Sequence, residues 1–257
     1  MMEKNPCIIE VNDLSATFEE RQILHKVAFR AFEQEITVIL GASGSGKTTV
    51  LKHILGLYNI QEGYISILGK NLSMITESEQ KKLYKAIGVF YQNGGLLNSL
   101  TIGENLGLPL EQHTDLDDEM IRSIVMLKLN LVNLVNVYDH YPSQLSGGML
   151  KRAALARAMI MDPPLLFCDE PGAGLDPVSL ASLDSLLVNL KLQLGISMVI
   201  ITHQVSSILR IADRIVFLEE GRVIFYGTLS EALDSGDPDV RDFFNKGMRG
   251  YDSSKNS

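Results

Sequence analysis

Ile36–Leu55 reads ITVILGASGSGKTTVLKHIL, which is an apolar run, a glycine-rich octapeptide and an apolar-periodic stretch in that order. The run Ile36–Leu40 predicts a buried strand, and Thr48–Leu55 predicts a helix. The octapeptide Gly41–Thr48 has the spacing GxxxxGK[ST], and geometry dictates that spacing. Gly41, Gly44 and Gly46 allow a wrapped backbone whose N–H groups point inward at the phosphates of a nucleotide. With Ala42, Ser43, Ser45 and Thr49 completing the loop and the first helical turn, residues 41–49 form a candidate anion cradle. The helix N-terminus adds its dipole and free N–H groups. Lys47 brings a positive charge to the β- and γ-phosphates, and the Thr48 hydroxyl can ligand Mg²⁺.

The second half of the chain supplies groups the loop lacks. Leu165–Cys168 is an apolar run ending in Asp169-Glu170-Pro171. Two adjacent carboxylates at the end of a buried strand are costly without partners. Asp169 is placed to hold Mg²⁺, which prefers a few oxygen ligands and keeps several waters. Glu170 is the candidate general base for an attacking water. Between the two strands lies Leu145–Met149, LSGGM. Its glycines, Gly147 and Gly148, let backbone approach a phosphate. Ser146 can donate a hydroxyl and also fits the N-cap of a helix, MLKRAALARAMI, whose N-terminus favours an anion.

LSGG beside a complete phosphate loop resembles the signature of ATP-binding cassette (ABC) ATPases, and the remaining motifs follow in that family's order over nearly the whole chain. Gln92, in VFYQNGGLLNSLT, resembles the Q-loop glutamine that touches Mg²⁺ and the lytic water. AGLD at Ala173–Asp176 is similar to the D-loop. His203, after the apolar strand Met198–Thr202, resembles the switch histidine that contacts the γ-phosphate. Phe18, on what reads as a short edge strand, resembles the aromatic that stacks on adenine. The resemblance implies ATP and Mg²⁺ as cofactors. Lys47, Gln92, Glu170 and His203 would be catalytic, and Thr48, Gln92 and Asp169 would serve the metal. It also implies a homodimer in which each signature completes the opposite subunit's site, and an integral-membrane permease as partner. Gly172, after Asp-Glu-Pro, departs from the commoner Ser, Thr or Phe, and a looser D-loop is expected there.

Bulk properties agree. At 257 residues the chain fits one large domain with a subdomain. Alternating helical stretches and short apolar strands indicate an α/β fold. In ABC terms this is a P-loop NTPase with a RecA-like core and mixed sheet, a helical subdomain at about 93–160 and a β-rich N-terminal subdomain. Together these span residues 1–250. The polar tail 251–257, YDSSKNS, reads as disordered. A net charge of -8 and a pI near 5.2 argue against a nucleic-acid binder. Cys7 and Cys168 imply no disulfide framework, and Cys168 reads as a small buried hydrophobe. No apolar run is long enough to span a bilayer and the N-terminus is too polar for a signal peptide. The expected location is therefore peripheral, on the cytoplasmic face of the inner membrane.

Three details resemble the ATPases of MCE/Mla-type phospholipid transporters. These are Met149 followed by LKR in GGMLKRAALARA, the stretch NGGLLNSLTIGENLGLPLEQHT with AGLDP, and the C-terminal DPDVRDFFNKG. That resemblance implies an MCE-domain lipid-binding subunit and a small accessory subunit as further partners. An importer of small solutes, or a cytosolic ABC ATPase outside transport, would share the same site. A DNA-repair ABC ATPase is disfavoured by the acidic charge and by the lack of a coiled-coil insertion between Gln92 and Ser146.

Overall fold

The computed structural model describes residues 5–255, with side chains placed over 5–247. In chain order the elements are β1 (Cys7–Phe18), β2 (Arg21–Phe32), β3 (Ile36–Leu40), α1 (Lys47–Ile54), β4 (Glu62–Ile67), β5 (Lys70–Asn71), α2 (Glu77–Lys85), β6 (Ile87–Phe90), α3 (Ile102–His113), α4 (Asp118–Leu131), a 3₁₀ turn (Pro142–Gln144), α5 (Gly147–Ala158), β7 (Leu165–Asp169), α6 (Pro177–Leu194), β8 (Ser197–Ile201), α7 (Val205–Ile211), β9 (Arg214–Glu219), β10 (Arg222–Thr228), α8 (Leu229–Leu233) and α9 (Pro238–Lys255).

Two sheets form. One has the order β10-β9-β3-β8-β7-β6, parallel except for the antiparallel β10 edge; the other is antiparallel, β2-β1-β4-β5. All five residues of β3 are buried, as a parallel strand covered on both faces requires. Period two sorts the side chains between the faces. Ile36, Val38, Leu40, Leu166, Cys168, Met198 and Ile200 join a core with α3 to α7 and α9. Their neighbours Ile39, Leu165, Phe167, Val199 and Ile201 join a second core with α1 and the antiparallel sheet. The phosphate-loop helix is thus clamped between two sheets, which holds the loop in place. Burial pushes the Cys168 thiol up, out of the reactive range.

Among the described residues no strand lies between β6 and β7, and α3, α4 and α5 fill that interval. Each of these three helices has a side-chain cap at its start, and Ser146 is the one expected from the sequence. Thr101 and Glu104 form a reciprocal capping box, Asp117 accepts from the Met120 N–H at 2.8 Å, and Ser146 accepts from the Met149 N–H at 3.4 Å.

Three expectations are corrected. Phe18 does not sit on a short edge strand. It ends a 12-residue strand paired on both sides, because Ile9, Val11, Leu14 and Ala16 are buried along its length and hold β1 between β2 and β4. The D-loop is not slack at Gly172: a Cβ there would stand 2.3 Å from Leu180 Cδ1 and 2.8 Å from Gln204 Oε1, so α6 packs into the space that glycine leaves. The segment beyond Gly250 continues α9 to Lys255, no proline after Pro238 interrupting it, while residues 256 and 257 lie outside the described residues. No described helix is long and apolar enough to cross a membrane.

Candidate functional site

The phosphate loop is built by backbone that only glycine adopts readily. Gly41 has φ 149, and a Cβ there would meet the Leu218 carbonyl oxygen at 2.0 Å, so β9 presses directly on the loop. Gly46 caps α1 in the left-handed region (φ 101, ψ 2) and offers no side-chain cap. The first N–H groups of α1 therefore remain available to an anion. Lys47 folds back over the loop, donating to Gly41 O at 2.9 Å, Ala42 O at 2.8 Å and Ser45 Oγ at 3.4 Å. Burial lowers its pKa, while the charges of Glu170 and Asp169 act to hold it cationic.

A cavity of about 790 Å³ brings together Gly41, Ala42, Ser43, Gly44, Lys47, Thr48, Gln92, Asp169, Glu170 and His203. Residues separated by more than a hundred positions thus converge where β3, β7 and β8 end on the same side of the parallel sheet, the place where open α/β sheets bind ligands. Asp169 is raised above the usual carboxylate range, first by burial and then by Glu170 beside it, with Lys47 opposing. Glu170 sits in the left-handed region at φ 46, its N–H tied to Ile201 O at 2.9 Å. That uncommon conformation is held by the sheet and turns the side chain of Glu170 away from the strand pattern. One oxygen, Oε1, bonds His203 Nδ1 at 2.7 Å. The other, Oε2, is buried with no hydrogen-bond partner among the described residues, an acceptor that a water can satisfy.

Among the described residues no cluster of three or more His, Cys, Asp or Glu could hold a metal by itself. A carboxylate at Asp169, a hydroxyl at Thr48 and an amide at Gln92 lining one cavity do fit Mg²⁺, which binds few protein ligands and completes its shell with water and phosphate oxygens. The raised Asp169 pKa carries a prediction. A carboxyl whose folded pKa lies above its unfolded value costs no stability when both states are protonated. Above the folded pKa both states are ionised and the folded state bears the desolvation and repulsion. Asp169→Asn should therefore raise the melting temperature of the nucleotide-free protein at neutral pH. The gain should vanish in acid below the ordinary carboxylate pKa, as followed by thermal denaturation across pH.

Several expected residues lie elsewhere. Ser45, Gly46 and Thr49 do not line the cavity, and neither do Ser146, Gly147 and Gly148. Phe18 is also outside it, with its ring 5.0 Å from the Tyr58 ring centre and 6.4 Å from that of His53. The end of β1 is fixed by Gln61, whose side chain bonds both the N–H and the carbonyl of Thr17 at 2.7 and 3.0 Å. Conversely, Phe217 and Glu219 of β9 and Asp239, Asp242, Phe243 and Lys246 of α9 form a wall that sequence reasoning missed. The available signal was the apolar pair Phe243-Phe244 in an otherwise polar tail; Phe243 stacks edge-on against Phe217, with ring centres 5.3 Å apart.

Comparison with known proteins places this geometry in a family. The ABC transporter sequence family matches residues 24–173. The intermembrane phospholipid transport system ATP-binding protein MlaF of Haemophilus influenzae is 36% identical over 239 residues, covering 93% of this chain and 90% of that protein. MlaF of Escherichia coli K12 is 34% identical, covering 92% and 88%. A mycobacterial protein, the probable ribonucleotide transport ATP-binding protein mkl of Mycobacterium tuberculosis H37Rv, is 36% identical over 92% of this chain, which spans only 66% of its length. Among solved structures, CbiO1 of Clostridium perfringens superposes with a TM-score of 0.83 at 28% identity, covering 91% of this chain and 92% of that one. The dimeric ADP- and Pi-bound cassette MJ0796 superposes at 0.77 with 29% identity, covering 86% and 98%. With its phosphate loop, paired carboxylates and signature helix in this arrangement, the chain belongs to the ABC transporter family, as an ATP-binding cassette.

Proposed function

We propose that the chain is the ATP-hydrolysing subunit of a phospholipid transporter of the MCE/Mla type, working as a homodimer on the cytoplasmic face of the inner membrane. The observation that carries the dimeric mechanism is a separation. The signature residues lie outside their own cavity, and no atom within 4 Å would obstruct a Cβ at Gly147, while at Gly148 the nearest atom is Ser179 Oγ at 3.6 Å. Neither residue has a positive φ. Nothing inside the chain calls for glycine at these positions; close approach by an outside group does. A nucleotide held in a second copy's cavity is such a group, and the cassette MJ0796 is dimeric with its nucleotide bound.

In this reading the γ-phosphate enters the cradle of residues 41–49, and Lys47 leaves the Gly41 and Ala42 carbonyls for the phosphate oxygens. Thr48, Gln92 and Asp169 would hold Mg²⁺, which when bound neutralises charge developing on the phosphates. Glu170 accepts a proton from the attacking water through its unpaired Oε2, with Gln92 and His203 beside it. The new P–O bond forms in line as the bond to ADP breaks, releasing ADP and phosphate. The residues act mainly by position and charge. Phe18 would stack on adenine from outside the phosphate cavity.

A second cavity, about 1010 Å³, separates α2 and β6 from α3 and α5, and Leu57, Tyr91, Gly94, Gly95, Pro109 and His113 line it. Leu57 and Tyr91 are half or more exposed there. Its apolar lining suits a short helix of an integral-membrane permease. Support for a lipid system comes from the 88–90% of each MlaF protein that this chain spans. The mkl relatives favour a different cargo by name, and a solute importer is the second reading. Purifying the tagged full chain from detergent-solubilised membranes and identifying its companions by mass spectrometry separates them. We expect a polytopic permease, an MCE-domain subunit and a small accessory subunit. A solute-importer permease, or recovery from the soluble fraction alone, overturns the lipid assignment.

A further inference from the structure

The signature helix α5 grips the irregular segment that follows β6. Lys151 Nζ donates to the Gln92 carbonyl at 2.5 Å, and Arg157 donates to the carbonyl of Gly95. The Lys151 ammonium also lies 5.5 Å from the ring centre of Phe90, the last residue of β6. At the far end of the same segment, the fully buried Asn105 of α3 donates to the carbonyls of Leu97, Leu100 and Thr101 and accepts from the Leu97 N–H. Residues 91–101 contain no helix or strand, so side chains from α3 and α5 supply much of what holds this loop.

Gln92 therefore works at both ends. The residue lines the phosphate cavity, and its carbonyl is held by the signature helix. Lys151 stands one turn from Gly147 and Gly148, so its ammonium is carried on the same helix whose start presents the signature N–H groups. A cation on a carbonyl makes a charge-assisted hydrogen bond, stronger and more directional than a neutral amide would make there.

We propose that Lys151 is a positioning residue that transmits nucleotide occupancy from the chain's own phosphate cavity, through Gln92, to its signature helix and hence to the site this helix completes on a second copy. The inference rests on the two-site homodimer proposed above. When the γ-phosphate draws the Gln92 side chain, its backbone moves with it, and Lys151 carries α5 along. Each site thereby sets the geometry of the other, a coupling between sites through a contiguous hydrogen-bonded element.

The test is steady-state ATP hydrolysis by the full-length chain as a function of ATP concentration, for wild type, Lys151→Met and Lys151→Arg. Lys151→Met should lower kcat about tenfold and move the Hill coefficient from ~2 toward ~1. Its affinity for a fluorescent ATP analogue, measured at dilutions where the protein is monomeric, should stay unchanged. Lys151→Arg, able to reach the same carbonyl, should restore both kcat and cooperativity. Unchanged kcat and Hill coefficient in Lys151→Met, or an arginine variant as defective as the methionine one, overturns the proposal. Size-exclusion chromatography of Glu170→Gln with ATP distinguishes the two levels. If no ATP-dependent dimer forms, the homodimer reading fails; if it forms while Lys151→Met is cooperative, only the transmission through Lys151 fails.

Discussion

Glu170→Gln should reduce ATP turnover by about 10²–10⁴-fold, the range for loss of a positioned general base, while leaving ATP binding intact. The replacement is isosteric, so the left-handed backbone at φ 46 and the tie from its N–H to Ile201 O persist. What disappears is the charge assigned above, as a proposal, to the water's proton, and it is the charge that faces His203 across 2.7 Å. The same charge is one reason why Asp169 is raised, so its removal also eases ionisation of the neighbouring carboxylate. The variant should accumulate as an ATP-bound dimer visible by size-exclusion chromatography, with phosphate release near background. A hydrolysis rate close to wild type would remove Glu170 from the role of base.

Lys47→Ala should act earlier, on binding itself. The ammonium is the cation lying over the loop, 2.8–2.9 Å from two of its own carbonyls, and nothing else in the cavity wall except Lys246 of α9 carries a full positive charge. Losing a charge-assisted contact to phosphate costs about 1.5–3 kcal/mol, or roughly 10–10²-fold in affinity. The carbonyls of Gly41 and Ala42 would be left to solvent, so the nucleotide-free protein should lose little stability. Thermal shift reads both effects at once, because ligand binding stabilises by mass action. ATP should raise the melting temperature of the wild type and scarcely change that of the variant. An unchanged dissociation constant would refute the cradle.

The parallel-sheet core was legible because its signals are local. Ile36–Leu40, Leu165–Cys168 and Met198–Thr202 are short apolar runs with burial on both faces, and each is a strand to within a residue. The glycine turns of the loop between β3 and α1 were legible because their spacing is dictated by backbone geometry: Gly41, Gly44 and Gly46 all have positive φ. The environment of Phe18 was not, since β1 acquires its second partner, β4, only after the chain has passed through β2, β3 and α1. Nor was the α9 wall of the cavity: Asp239 and Asp242 lie more than sixty residues beyond Glu170 in the sequence, and only the docking of Phe243 and Phe244 against the core brings them near. The hydrogen bond between His203 and Glu170 likewise joins two motifs that sequence reading could only name separately.

A sequence change at Gly172 bears on Leu180 and Gln204. A Cβ at position 172 would stand 2.3 Å from Leu180 Cδ1 and 2.8 Å from Gln204 Oε1, both of them ends of side chains that can turn aside, so bulk added at 172 is admitted when those two ends shift. A Gly172→Ser exchange in this chain is thus taken up by new rotamers of Leu180 and Gln204, and its cost is set by how far the first turn of α6 lets them move.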